Sequence, residues 1–361
     1  MVAAGDTDVH IKAGEYKVDD KNKVAMNLVD KAGNDEGTVT ITGVAKAEDV
    51  AVVYDKNKTS LRSTNAGVAE NAIALGKGAS AVKNSIAIGN GAYTQDGTLT
   101  RGQSVALGNG AVTGAKSTSI ASNAVGGREG TITIGANANN GSLYATVIGT
   151  DSKVNNMTRN SGAAATIVGA KSEIKNDNKS YSGVANGIFG SANTIENSNG
   201  VTIQGSGNTV TNAYKNMSGG DFNLGGVYVK KDAGAVGVIG GMNTVSNQIY
   251  TNVIGFGNTV AGDADNISHD VFVAGSRNNL SKVSDSIVMG NDNTISDRSN
   301  VISFGHQNTI SASNAVAIGN GASVSVEGGV ALGVGSVADR ANAVSVGSTG
   351  ANRQIINVAA G

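Results

Sequence analysis

The sequence predicts an all-β protein, a parallel β-roll wound as a solenoid of 14–15-residue coils. Three observations lead there. First, one phrase keeps returning: Ser85-Ile86-Ala87-Ile88-Gly89-Asn90-Gly91-Ala92, then Ser104-Val105-Ala106-Leu107-Gly108-Asn109-Gly110-Ala111, then Ala315-Val316-Ala317-Ile318-Gly319-Asn320-Gly321-Ala322. Second, its glycine recurs at Gly76, Gly89, Gly108, Gly135, Gly149, Gly169, Gly190, Gly205, Gly240, Gly255, Gly275, Gly290, Gly305, Gly319, Gly333 and Gly347, the steps from Gly240 to Gly333 being 15, 20, 15, 15, 14 and 14 residues. Self-similarity at a fixed short period means stacked units that cannot bury their apolar faces alone. Third, 52 glycines accompany no proline among 361 residues. Proline cannot donate to a β-ladder, so its absence suits long unbroken sheets, and glycine supplies tight corners.

Each coil divides into two strands and two turns. Before the glycine the residues alternate, as in Ile86, Ala87 and Ile88, which is the period of a strand. One or two turn residues follow, often Asn-Gly, which accept left-handed backbone angles. A second short strand then carries a small or amide residue three places after the glycine and an aliphatic at five: Asn293 and Ile295, Asn308 and Ile310, Ala322 and Val324. Coils rising ~4.8 Å each make a rod of roughly 80 Å. Ser119-Ile120-Ala121-Ser122 lacks the glycine and is counted as a degenerate coil.

The middle coils differ. Where the outer coils place Ala87, Ala106, Ala317 and Ala331, the middle ones place Val147, Ile167, Ile188, Val253, Val273 and Val288. Their first strands are apolar on both faces, as in Ile287, Val288 and Met289. A strand apolar throughout is expected to be buried on both sides. A two-stranded coil has one inside, so these six residues are expected at a second buried face formed with other copies of the chain. The middle coils also carry Asn193, Asn208, Asn243, Asn258, Asn278, Asn293 and Asn308 at the position three after the glycine. Stacked amides form a hydrogen-bonded ladder, which is preferred here over a ligand-binding stripe.

Residues beyond the basic coil fall at 93–103, 155–162, 175–183, 211–234 and 262–269, each after a second strand and before the next first strand. All five are therefore expected at one edge of the roll, and insertions gathered on one edge often form a binding face. Candidate contact residues there are Tyr93, Met157, Tyr181, Tyr214, Met217, Tyr228, Lys230 and Lys231. Segment 211–234 leaves a further coil open, because Phe222-Asn223-Leu224-Gly225 puts a glycine 20 residues after Gly205 and 15 before Gly240.

The phrase Ser-Ile-Ala-Ile-Gly-Asn-Gly-Ala resembles the head repeat of the YadA-type trimeric autotransporter adhesins. The tail Ala343-Val344-Ser345-Val346-Gly347, followed by Arg353-Gln354-Ile355-Ile356-Asn357-Val358-Ala359-Ala360-Gly361, resembles the start of their neck. The two motifs cover about residues 69–361. The resemblance implies a left-handed roll, three chains side by side as a homotrimer, and a membrane anchor in the full-length chain holding the head on a Gram-negative outer membrane. It divides the chain into a small N-terminal β-rich module at 1–68, a head at 69–347, and the beginning of a neck at 348–361. In the first part, 24–30 and 38–44 are expected to pair as a hairpin around 31–37, with 59–67 as connector. Met1 running into small polar residues, and the end at Gly361, are expected of an excised fragment.

Several chemistries find no support. Cysteine is absent, which excludes disulfides and thiolate metal sites. Lys+Arg of 27 against Asp+Glu of 28 argues against nucleic acid. No apolar run reaches the ~18 residues of a membrane span, and no signal peptide leads the fold. His10, His269 and His306 lie on unrelated segments, so spacing suggests no metal cluster, and no cofactor motif or nucleophile elbow occurs. The expectation is a non-enzymatic adhesin head binding extracellular-matrix protein, a host-cell receptor or another bacterium. A polysaccharide-processing solenoid enzyme or a structural spacer is the alternative. Ice binding lacks its flat Thr-x-Thr array.

Overall fold

The computed structural model describes residues 10–12, 23–42, 52–55, 60–63, 66–96, 102–155, 162–175, 184–214, 222–224, 227–229 and 234–359. Two parallel sheets run along the roll, and every coil contributes one strand to each. The first holds Ile73–Leu75, Ile86–Ile88, Val105–Leu107 and so on to Val344–Ser345; the second runs from Gly67–Val68 through Ser80–Ala81 to Val337–Ala338. Among the described residues there is no helix. The chain is thus a parallel β-solenoid. Its register is the sequence repeat itself: Val238 pairs with Val253, Val253 with Val273, and Val273 with Val288.

The repeat glycine sets that register. Gly255 has φ of 135°, a region closed to most side chains, and a Cβ there would overlap the carbonyl oxygen of Gly275 in the next coil. The degenerate coil obeys the same geometry without the residue suited to it. Ala121 sits at φ 109°, and its N–H donates to the Leu107 carbonyl at 2.8 Å, as the glycines' do to their neighbours.

Side chains two before the glycine and five after it fill the space between the sheets. Val147, Ile167, Ile188, Val253, Val273 and Val288 are all fully buried there, within the single chain. This corrects the expectation that they form a second face against other copies: they are the inside of the coil. Their partners across the core are Val154, Ile174, Ile195, Val260, Leu280 and Ile295, also fully buried. Each such burial stabilises by ~1.5–3 kcal/mol. The N-terminal coils carry Ala74, Ala87 and Ala106 at the same inner position and form a separate, smaller core. Middle and outer coils therefore differ in core volume.

Between the sheets, at the first turn, the amides form a continuous ladder. Asn258 donates its N–H and Nδ2 to Asn243 Oδ1 at 3.0 and 2.9 Å, and Nδ2 also reaches the Gly275 carbonyl at 2.8 Å. Its own Oδ1 accepts the N–H and Nδ2 of Asn278 at 3.0 and 2.9 Å. Every polar atom of that buried side chain is used, the condition for burying an amide without loss. Ser152 and Ser172 start the series, with hydroxyls donating to the Gly169 and Gly190 carbonyls. Asn308 ends it by turning Nδ2 back to Ser303 Oγ and the Phe304 carbonyl, both at 3.2 Å.

The roll begins before the sequence repeat does. Ser60–Ser63 pairs in parallel with Ile73–Leu75, and Val52–Asp55 lies antiparallel on its other side, closing that end of the first sheet. At 10–42 the chain forms a separate antiparallel sheet of His10–Ile11, Lys23–Val29 and Asp35–Thr42. The turn is shorter than the sequence suggested. Asp30 Oδ1 accepts the N–H groups of Ala32 and Asn34 at 2.9 and 2.8 Å, so the strand resumes at Asp35. At the far end the Arg353 guanidinium donates to Ser336 Oγ at 3.0 Å and to the Val346 carbonyl, tying the tail across the last coil.

Two stability outcomes follow. Ala121→Gly should raise stability by about 1 kcal/mol by releasing the unfavourable φ, whereas Gly255→Ala should lower it by about 2 kcal/mol or more through strain and overlap. Asn258→Ala, which strands donors and acceptors on both adjacent coils, should cost about 2–4 kcal/mol, and Asn308→Ala at the ladder's end clearly less. Thermal and urea unfolding of the four variants measures both; equal losses at Asn258 and Asn308 would contradict the ladder's cooperativity.

Candidate functional site

Two surfaces of the roll stand out. The first lies on the outward face of the first sheet. Because successive side chains alternate across a sheet, the residue just before each glycine points away from the core. That position forms a register-paired column: Ile134, Ile148, Val168 and Phe189, then Ile239 and Ile254, then Met289, Phe304, Ile318 and Leu332. Gln204 and Ala274 fill the two gaps. Phe189 and Ile239 are each 47% exposed and Met289 45%. Ile287 and Ile302, two residues earlier, widen the column at its C-terminal end. The ribbon continues into the outer coils at Ile88, so it runs along most of the roll. Sequence reasoning inferred an outward apolar face but assigned it to the wrong set of alternating residues.

The second surface is the edge where the chain passes from the second sheet to the next first strand. The interruptions after Thr94, Asn155, Lys175, Tyr214 and Gly262 all lie in this same connection. Of the candidate contact residues, Tyr93 is 41% exposed and belongs to the second sheet, in Tyr93–Thr94. Tyr214 is half-buried where the longest insertion departs. Met157, Tyr181, Met217, Lys230 and Lys231 lie outside the described residues, and Tyr228 is described only by its backbone.

Among the described residues no further coil lies between Thr211 and Gly234. The strand Thr202–Ser206 pairs directly with Gly237–Gly241, and Thr209–Thr211 with Thr244–Ser246. Phe222–Leu224 instead pairs antiparallel with Val227–Val229 as a hairpin outside the roll. A glycine at the right spacing was not enough, because the strand beside it found a closer partner. Segment 262–269 also differs from expectation: Ser268–His269 is a short strand, paired in parallel with Gln248–Ile249. A bridge from Ser284 to Ser299 extends the same side, giving these coils a narrow third face.

Charges decorate the two corners. At the turn after the glycine, Arg277 grips Asp292 with Nε and Nη2 at 2.7 and 2.9 Å, holding the Asp292 carboxyl below the usual carboxylate range; His306 Nδ1 lies 3.3 Å from the same carboxylate. On the insertion edge a cavity of about 400 Å³ opens beside Asp263, Ser268, His269, Lys282 and Asp285. Asp263 Oδ1 accepts the N–H groups of Asp265 and Asn266 at 2.8 and 3.3 Å, which lowers its pKa, and Lys282 lies 3.5 Å away.

Compared with known proteins, the chain matches no family model and no curated protein. The class rests on the fold: a parallel β-solenoid with one apolar face and one edge interrupted by insertions.

The ends of the longest insertion meet, since a Cβ on Gly234 would strike the Ala213 carbonyl oxygen. Replacing 215–233 by a short Gly-Ser link is therefore expected to leave the roll's circular dichroism and melting temperature unchanged. A large loss of β signal would show that the segment supports the coils.

Proposed function

We propose that this chain is the display head of a surface adhesin, a non-catalytic rod that works as a side-by-side homotrimer and presents its insertion edge to a ligand. One observation carries the assembly: the outward apolar column from Ile134 to Leu332, along one continuous face. Soluble monomers seldom expose contiguous apolar surface of this extent, and such ribbons are covered by partners. A repeated column suits identical neighbours, because each coil offers the same surface at the same ~4.8 Å rise. The tail supports the same reading. Ile355, Ile356 and Val358 are exposed by 70%, 74% and 70% just past the last coil.

Attachment follows from copy number. Three chains present the same edge three times, and weak contacts held together gain avidity without new chemistry. The recurring Ser-Ile-Ala-Ile-Gly-Asn-Gly-Ala phrase, with its resemblance to YadA-type heads, supplies the setting: a left-handed roll on a bacterial outer surface, held by an anchor elsewhere in the full-length chain. The ligand classes are extracellular-matrix protein, host-cell receptor and the surface of another bacterium.

Light scattering of the purified chain should give about three times 35.8 kDa. Ile254→Asp together with Met289→Asp, on the outward column, should shift that mass toward the monomer while the β signal persists. A folded parent that stays monomeric at high concentration overturns the assembly. An array of matrix proteins and glycans, probed with the parent and with the 215–233 replacement, tests the edge; bound glycan that is depolymerised would overturn the non-catalytic reading.

A further inference from the structure

At the insertion edge one step between coils is unlike its neighbours. The residue before each first strand turns the corner in the left-handed region: Asp270, Asp285, Asn300 and Asn314 have φ of 55°, 50°, 56° and 52°. These positions stack, Val271 pairing with Ser286 and Val301 with Ala315. Higher up, amides separate the layers. Asn300 Nδ2 donates to Asn314 Oδ1 at 3.1 Å, and Asn314 Nδ2 to Glu327 Oε1 at 3.0 Å. Among the described residues no side-chain amide bridges Asp270 and Asp285, which place two carboxylates on adjacent coils. What lies beside them is an imidazole. His269 Nδ1 is 2.9 Å from Asp270 Oδ2 and 3.6 Å from Asp285 Oδ1, and the three donor atoms all lie within 4.8 Å of one another.

We propose that His269, Asp270 and Asp285 form a binding site for a divalent transition-metal cation of the zinc type, which staples two successive coils on the insertion edge. The two distances from the imidazole are those of a coordination sphere. Nitrogen and oxygen ligands at ~2.0–2.2 Å from one ion lie about 2.9–3.5 Å apart when adjacent. The two distances from His269 bracket that range, so small side-chain rotations complete the site. The donor set selects the ion: one imidazole with two carboxylates suits zinc and its neighbours, whereas calcium and magnesium favour oxygen alone.

The surroundings leave the three donors available. The basic side chains of the adjoining cavity are engaged elsewhere, Lys282 with Asp263 at 3.5 Å and Arg298 with the Ser311 and Asp297 carbonyls at 2.6 and 2.8 Å. The three ligand side chains are 44–59% exposed, so an ion can enter and water can fill its remaining positions. Two stacked carboxylates repel each other unless a cation intervenes. A bound ion removes that repulsion and ties the short strand Ser268–His269, which leads out of an insertion, to the coil that follows it.

The test is zinc titration of the intact, tag-free chain by calorimetry at pH 7.5. One ion per chain is expected, at micromolar affinity, with a melting temperature that rises as zinc is added. Cobalt should give visible bands of a nitrogen–oxygen site. His269→Gln and Asp285→Asn should each weaken binding at least tenfold and abolish the thermal shift, while both variants keep the parent's circular dichroism, since their side chains are exposed. Zinc that fails to bind the parent, or that binds Asp285→Asn as it binds the parent, overturns the site. So does a parent indifferent to zinc whose metal-free melting temperature rises on acidification but no longer does so in Asp285→Asn; the cluster would then be a protonated histidine bridging two carboxylates.

Discussion

The close approach of each coil's glycine to the glycine carbonyl of the next is the constraint on which the structure depends. At Gly255 both the backbone angle and the missing Cβ are required at once. Because that contact recurs from coil to coil, with Ala121 standing in for the glycine once, it removes the freedom to slip by one residue, and a slip would exchange inside for outside all along a strand. Everything else about side-chain placement follows from this fixed phase. Two residues before the glycine face inward, one before faces outward, and three after it falls at the buried corner.

That corner explains the asparagines. The first turn carries carbonyls that a two-sheet roll has no neighbouring strand to satisfy. A side chain three residues after the glycine reaches the next coil's carbonyl, and an amide can both donate there and accept from the coil beyond. Serine does both with one hydroxyl: Ser152 and Ser172 donate to the next coil's carbonyl and accept the N–H of Ser172 and Asn193 in turn. Asparagine adds a further bond, its Oδ1 accepting the Nδ2 of the next amide as well as its N–H, so the side chains themselves link coil to coil. The ends solve a different problem, since a solenoid leaves its terminal coils uncovered. Val52–Asp55 pairs onto one end and Arg353 spans the other.

Much of this was legible in the sequence. The glycine spacing gave the coil, the alternation before it gave the first strand, and the asparagine column gave the ladder. The phase of the middle strands was not legible from alternation alone, because a run such as Ile287, Val288 and Met289 is apolar whichever residue points inward. The outer coils held the missing sign: Ala87 and Ala317 are small where the core is thin, which marks that column as the inner one. The metal-type cluster escaped for another reason. Histidine spacing was compared only with other histidines, whereas the 15-residue step from Gly275 to Gly290 also places Asp270 and Asp285 at equivalent corners. In a solenoid, neighbours in space are equal positions in the repeat, and proximity must be read modulo the coil.

The same reasoning separates assembly from recognition. The outward column lies on the first sheet, and the insertions leave from the connection that precedes that sheet's strands. In the proposed assembly, a copy of the chain seats on the column and covers a flat, repetitive surface whose register is already set by the glycines. The edge is left outside that contact, and it is the place where coil length varies from the 13-residue step between Gly76 and Gly89 to the 35-residue step between Gly205 and Gly240. Length variation is tolerated there because the hairpin's base, at Ala213 and Gly234, closes before it perturbs the ladder on either side. A surface fixed by the repeat can be shared by identical partners, and one that escapes the repeat can differ from coil to coil without disturbing them.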